Sequence, residues 1–394
     1  MPHETSLIAT IAVGLGFAFL GGLLAVRLKM PPLVGYLLAG IAVGPFTPGF
    51  VADVHLAPQL AEIGVILLMF GVGMHFSVSD LWDVRRIALP GALVQITAAT
   101  LLGVGLTSLW GWSLGAGLVL GLALSVASTV VLLRALETHN LLATPRGNIA
   151  IGWLIVEDLV MVLVLVLLPI AAGALGGQAG QGGQDLLTAF GITLGKVLLF
   201  AAFMLVAGKR FFPWLLKQVE QTGIRELFTL AVVAIGLGVA FGSAKLFGVS
   251  FALGAFFAGI VIKESDLSHR AANDTQPLQD AFAVLFFVSV GMLFDPAILL
   301  RQPLQVLGVV AIILLGKSLA AYGIVWLLRH PPSTAWMVSG ALAQIGEFSF
   351  ILAGLGVHLG LLSLEGQNLI VAGALLSITV HPLLFSLTAR VKSG

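Results

Sequence analysis

The sequence holds 394 residues, of which 59% are hydrophobic and only 9% charged, where a soluble domain carries about 25% charged residues. A chain this apolar cannot keep its surface in water, and with no cysteine it has no disulfides, thiol chemistry or Cys-type metal sites. The net charge of +1 points to no nucleic-acid partner, and the expectation is an integral membrane protein that is not an enzyme.

A membrane span needs about 20 largely apolar residues, and such runs follow one another almost end to end. In chain order they predict helices over Leu7–Leu28, Leu33–Phe46, Leu60–Phe76, Ile87–Trp110, Leu114–Leu136, Asn148–Ala171 and Leu186–Gly208. The series continues over Glu226–Phe247, Ser250–Ile262, Ala281–Phe294, Leu304–Leu328, Ala335–His358 and Gln367–Ala389, about thirteen in all. The first run follows Glu4 instead of a basic segment and has no small-residue cleavage site, so it reads as a true span and not a removable signal peptide. With the N-terminus outside, the inside loops carry Arg27, Lys29, Arg85, Arg86, Arg134, Arg146, Lys209, Arg210, Lys217, Arg225, Lys263, Arg270, Arg329, Arg390 and Lys392, against only Lys245 and Arg301 outside. That bias is the positive-inside signal, and an odd number of spans then places the C-terminus in the cytoplasm.

Gly173–Gln184, rich in Gly and Gln, reads as a flexible external loop and the clearest boundary in the chain. On the inner side, Lys209–Arg225 places Phe211, Phe212, Trp214 and Leu215 among basic residues. It reads either as an amphipathic interfacial helix or as a connector with interfacial aromatics.

The two halves resemble each other. GYLLAGIAVG from Gly35 aligns with GAFFAGIVIK from Gly254, and GVGMHF ending at Phe76 aligns with SVGMLF ending at Phe294, with Glu62 against Asp280. Carried forward, the spacing sets Ser125 and Ser128 opposite Gln344 and Glu347. Residues 7–171 are thus a first six-helix repeat, 184–208 a bridging helix and 225–390 a second six-helix repeat. Six helices plus a bridge turn the second copy upside down in the membrane, the inverted-repeat plan of secondary transporters.

A charged side chain at the centre of a membrane helix costs about 2.5 to 3.5 kcal/mol on insertion scales, so each needs a partner or a wet site. Glu157 and Asp158, Lys196, Lys317 and Glu347 are the five near mid-helix. Glu157 and Asp158 are adjacent and point about 100° apart, so one is expected to face a cavity and the other a neighbouring helix. Two close carboxylates in a medium of low dielectric resist ionising together, and such a site can trade a proton for a cation. Lys317 reads either as a partner of the acids during transport or as a buried ion pair that only stabilises packing. Lys196, on the bridge, reads as a snorkelling side chain, and His381, before Pro382, as a proton relay or as a neutral ring bonded to a backbone carbonyl.

The polar segments Ser125–Thr129 and Gln344–Ser349 fall at the centres of the fifth and twelfth predicted helices. Ser and Thr can bond their own helix carbonyls within an intact helix, but the repeat-related placement of both segments favours interrupted helices. Broken helices expose carbonyls that strip water from a cation, and half-helix N-termini that call for a negative charge. Glu347, with Gln344, would then balance dipoles instead of binding the ion, while Ser125, Ser128 and Thr129 would line the site beside Glu157 and Asp158.

ELFTLAVVAIGLG, GAFFAGIVIKES, FFVSVGM and ALAQIGEFSF in the second half, with ALSVAST and VEDL in the first, resemble the Kef-type branch of the monovalent cation:proton antiporters over nearly the whole chain. The resemblance implies a homodimer in a bacterial inner membrane, with a dimer scaffold from helices 1–3 and 8–10. It also implies a mobile ion-carrying bundle in which helices 5 and 12 cross as broken helices. It places the family's essential aspartate on Asp158, with Lys317 as the basic residue that pairs with it when no ion is bound. The position before that aspartate is often Asn, Asp or Gln in the family and is Glu157 here, which bears on stoichiometry. Kef-type proteins usually carry a C-terminal nucleotide-binding domain that could bind NAD or AMP. This sequence stops at Gly394, so no cofactor and no metal beyond a transported K+ or Na+ is expected within it. The rival readings are a gated potassium efflux pathway and a sodium-coupled symporter of an organic solute on the same fold.

Overall fold

The computed structural model describes residues 6–48, 53, 56–75, 78–142, 144–177 and 186–390. Phe76, Gln184, Lys392 and most of the Gly/Gln-rich stretch therefore lie outside the described residues. The described elements are all helical: α1 (Ser6–Arg27), α2 (Pro32–Val43), α3 (Ala57–His75), α4 (Val78–Leu109), α5 (Leu114–Ser125), α6 (Thr129–Thr138), α7 (Pro145–Ala171), α8 (Leu186–Phe203) and α9 (Lys209–Glu220). They continue with α10 (Arg225–Gly242), α11 (Phe251–Lys263), α12 (Ser268–Met292), α13 (Ile298–Arg301), α14 (Pro303–Ala311), α15 (Lys317–Leu327), α16 (Pro332–Ala341), α17 (Glu347–His358) and α18 (Leu364–Ala389). Among the described residues nine helical segments are long and apolar enough to cross a membrane, and α2, α11 and α17 are shorter apolar helices. The chain is thus an all-helical integral membrane protein.

Helix starts are set by side chains that accept the free N–H groups of the first turn. Ser113 Oγ accepts from Ala116 N at 3.2 Å, Thr144 Oγ1 from Gly147 N at 3.1 Å, Ser250 Oγ from Leu253 N at 3.3 Å and Ser363 Oγ from Gly366 N at 3.1 Å. Several helices outrun the apolar runs that predict them. α4 begins at Val78 instead of Ile87, and α12 at Ser268 instead of Ala281. Their backbone hydrogen bonds persist through charged turns, because apolarity is required of a helix only while it is in lipid.

Between apolar helices in lipid, close packing replaces the hydrophobic effect, and small residues allow it. A Cβ on Gly40 of α2 would lie 2.8 Å from Gly291 Cα of α12, and one on Gly73 of α3 would lie 3.0 Å from Gly259 Cα of α11. Gly21 of α1 similarly abuts Gly35 of α2, and Gly254 of α11 abuts Ala240 and Ser243 at the end of α10. These contacts knit α1–α3 with α10–α12. A second group packs α4 on α5, α7 and α15, α5 on α17, and α16 on α15 and α18.

α8 runs through a π-helical turn, Met204–Gly208, directly into α9. Leu216 is buried, with Phe212, Leu215 and Val219 packed on the core. The Lys209–Arg225 segment is therefore largely an amphipathic helix, part of whose apolar surface meets protein while Phe211 and Trp214 stay exposed. The ion pairs Lys209–Glu264 (2.8 Å), Arg225–Asp274 (3.0 Å) and Arg270–Glu220 (3.3 Å) join the ends of α9, α10, α11 and α12. All three cations belong to the set expected on the inner side.

Gly73→Leu drives a side chain into the α11 backbone, so a loss of about 1 to 3 kcal/mol is expected in thermal unfolding in detergent. Gly105→Ala, where a Cβ meets nothing within 4 Å, serves as the control. Equal melting of the two variants would show that the α3–α11 contact does not hold the fold together.

Candidate ion-binding site

The fifth and twelfth predicted helices are both interrupted. α5 stops at Ser125 and α6 starts at Thr129, with Val126 and Ser128 extended (φ −95°, ψ 129° and φ −77°, ψ 123°). α16 stops at Ala341 and α17 starts at Glu347, with Gly346 extended. The exposed backbone groups of such breaks must find partners inside the protein, and most of those partners are side chains. Gln95 Nε2 donates to Ser125 O (2.8 Å), and Ala127 N donates to Glu157 Oε2 (2.8 Å). Ser128 N donates to Gln344 Oε1 (2.9 Å), and Gln344 Nε2 returns a bond to Ser128 O (3.1 Å). On the second break, Lys317 Nζ donates to Gln344 O (2.9 Å) and His381 Nε2 lies 3.2 Å from Ala341 O. Ser349 Oγ ties α17 to α5 through Ala123 O (2.6 Å). The two breaks touch: a Cβ on Gly346 would lie 2.5 Å from Ser128 Cα.

Both acids of α7 turn to the first break. Glu157 is fully buried and holds the Ala127 amide, while the half-buried Asp158 accepts at Oδ2 from the Thr129 hydroxyl (3.3 Å). The two acids thus divide between the break and the helix that follows it: Glu157 holds Ala127 within the interruption, and Asp158 meets Thr129 at the first residue of α6. Each keeps a second oxygen, Glu157 Oε1 and Asp158 Oδ1, that is buried and has no hydrogen-bond partner. Glu347, at the first turn of α17, accepts from the Ser128 hydroxyl (3.1 Å). A carboxylate there suits the positive end of the helix dipole.

The other expected site residues lie close by but are engaged elsewhere. Ser125 Oγ donates back to Leu122 O (2.7 Å), and Ser128 Oγ is shared between Glu347 and the N-terminus of α6. Lys317 is fully buried and within electrostatic range of Glu157, but in this conformation it makes no ion pair with a described carboxylate. His381 takes the carbonyl-bonded arrangement, and Lys196 is exposed on α8. Sequence reasoning passed over Gln95 and Trp153, whose Nε1 donates to Gln95 Oε1 (3.4 Å). A lone amide in an apolar helix was the available signal.

A family profile described as "Sodium/hydrogen exchanger, transmembrane" matches residues 15–391. The chain belongs to that family. It is 63% identical over 390 residues, 99% of this chain and 70% of the relative, to a protein of Escherichia coli (strain K12) named as a cation/proton antiporter, YbaL. It is 33% identical over 390 residues to K(+) efflux antiporter 4 of Arabidopsis thaliana, covering 98% of this chain and 65% of the relative. Among solved structures, the sodium proton antiporter MjNhaP1 of Methanocaldococcus jannaschii at pH 8 superposes with a TM-score of 0.67 at 16% identity, covering 98% of this chain and 99% of that one. The fold is shared with that structure. The Kef-type resemblance of the motifs agrees with these relatives, and the matched family is one of transmembrane exchangers.

Gln344 bonds both backbone groups of Ser128, whose carbonyl also accepts from Leu132 N (3.1 Å), so Gln344→Leu leaves the buried Ser128 N–H unpaired, at about 1 to 3 kcal/mol. A clearly lower melting temperature in detergent is expected. Wild-type melting would mean the two breaks do not depend on this pair.

Proposed function

We propose that the chain exchanges a monovalent cation, K+ or Na+, for protons by alternating access, with cation and proton competing for the carboxylates of Glu157 and Asp158. One observation carries this reading: two adjacent acids, one fully and one half buried, each anchored at the α5–α6 junction through one oxygen and each with a second buried oxygen left without a partner. Buried polar atoms are ordinarily satisfied, and an oxygen that is not can accept either a proton or a dehydrated cation. The names of the relatives, cation/proton and K(+) efflux antiporters, support the same exchange.

In this mechanism Asp158 is the principal ion ligand, being the less enclosed of the two, and Glu157 is a second ionisable group that also holds the break in shape. Lys317, bonded to the Gln344 carbonyl in this conformation, swings toward the acids when they are empty and charged. An uncompensated charge crossing the low-dielectric interior is costly, so the bundle moves only when proton, cation or lysine has neutralised the site. Glu347 offsets the paired N-termini of α6 and α17.

The finer architecture in this reading is thirteen spans in two inverted repeats, 7–171 and 225–390, joined by the bridge 184–208. The glycine contacts support it. Gly40 aligns with Gly259 and Gly73 with Gly291 in the repeat, and the contacts Gly40–Gly291 and Gly73–Gly259 exchange with one another under that alignment. Ser128 and Glu347, also aligned, bond each other. The protein is then a homodimer in a bacterial inner membrane, N-terminus outside and C-terminus inside, with α1–α3 and α10–α12 as scaffold.

Asp158→Asn should abolish cation-dependent proton flux in proteoliposomes; retained exchange would remove the assignment. Because one proton excludes the cation, the apparent KM for the cation should rise about tenfold for each unit of pH on the acidic side while the rate at saturating cation holds. A KM indifferent to pH would contradict competition. Lys317→Ala should insert normally yet shift the pH profile of transport, an effect that packing alone does not produce.

A further inference from the structure

Gln95 is fully buried in α4, and both ends of its amide are engaged: Nε2 by Ser125 O at 2.8 Å, Oε1 by Trp153 Nε1 at 3.4 Å. Trp153 is also fully buried, and the space for its indole exists because residue 91 is glycine. A Cβ there would lie 2.9 Å from Cε3 and nearer still to two other ring atoms. On α7, Trp153 stands one turn before Glu157, on the same face. That face therefore grips the first interruption on both flanks: Trp153 through Gln95 reaches the Ser125 carbonyl, and Glu157 takes the Ala127 amide.

The second interruption has a counterpart. Ser125 aligns with Gln344 in the repeat, and the carbonyl of Gln344 is capped by Lys317 from α15 just as that of Ser125 is capped by Gln95 from α4. The two posts differ in charge. One is a cation and the other is a neutral amide, and the neutral one stands on the break that carries Glu157 and Asp158. A nitrogen donor is required there to satisfy the last carbonyl of α5, but a charged one would present the acids with a permanent internal cation.

We propose that Gln95 is a positioning residue of the ion site: held by Trp153, it fixes the end of α5, and thereby the Ala127 amide and Thr129 hydroxyl, against Glu157 and Asp158 without adding charge. The proposal rests on the transport reading above and deepens it. Loss of the donor leaves the end of α5 free to move relative to the acids, so cation affinity falls while the chemistry of proton and cation exchange remains.

The test is proton flux in proteoliposomes as a function of Na+ or K+ concentration for purified wild type, Gln95→Met, Trp153→Phe and the double variant. Gln95→Met keeps volume and removes the donor, and should raise the cation KM about tenfold with kcat changed by less than about threefold. Trp153→Phe keeps an aromatic ring and removes the N–H that holds the amide, and should raise KM about threefold. Because both act through one bond to Ser125, the double variant should match Gln95→Met alone. An unchanged KM in Gln95→Met, or effects that multiply in the double variant, overturns the proposal. If Gln95→Met does not fold, Trp153→Phe decides alone: a raised KM supports the proposal and a wild-type KM overturns it. A wild type without cation-dependent flux overturns the transport reading and this inference together, whereas wild-type flux with an unmoved KM in the variants overturns only the role of Gln95.

Discussion

A helix broken in the middle of a membrane exposes amide and carbonyl groups where no water can meet them, and the rest of this structure is arranged around that requirement. The two breaks, at 126–128 and 342–346, supply partners for each other through Ser128 and Gln344. The remaining groups draw in Gln95, Glu157, Lys317 and His381 from α4, α7, α15 and α18. Each partner is a polar or charged side chain that lipid would otherwise forbid. The requirement of the backbone and the presence of ionisable groups in the buried interior are thus one arrangement.

That economy explains how the acids can be both structural and functional. A carboxylate has two oxygens, and here one of each pair satisfies the break while the other stays open. The anchored oxygen sets where the open one points. In the proposed exchange, a change of occupant at the open oxygen, proton or cation, would be felt by the interrupted segment itself, which is the coupling that alternating access needs. Close glycine contacts confine α1–α3 and α10–α12 to one tightly packed group.

Much of the site was legible as charge in the wrong place. Glu157, Asp158, Lys317 and Glu347 stand out in apolar runs because their burial is costly, and the polar segments at 125–129 and 344–349 stand out for the same reason. Their partners were not legible. Lys317 meets a carbonyl instead of an acid in this conformation. Ser125 bonds its own helix, and Gln95, a single amide among apolar neighbours, drew no attention. Helix starts failed where charged turns extend beyond lipid, as at the beginnings of α4 and α12, because hydropathy reports the solvent of a residue and not its backbone hydrogen bonds.

By itself the sequence determined that the chain lives in lipid and roughly where its apolar helices run, and it set a small group of charges apart within those runs. Those properties depend on composition and on transfer energies that act residue by residue. Only the tertiary structure decided that both acids face one interruption, that each keeps one unpartnered oxygen, and that a neutral amide and a lysine cap the two breaks. Such pairings join residues from 27 to 216 positions apart, and they exist only once helix packing has carried the breaks into contact.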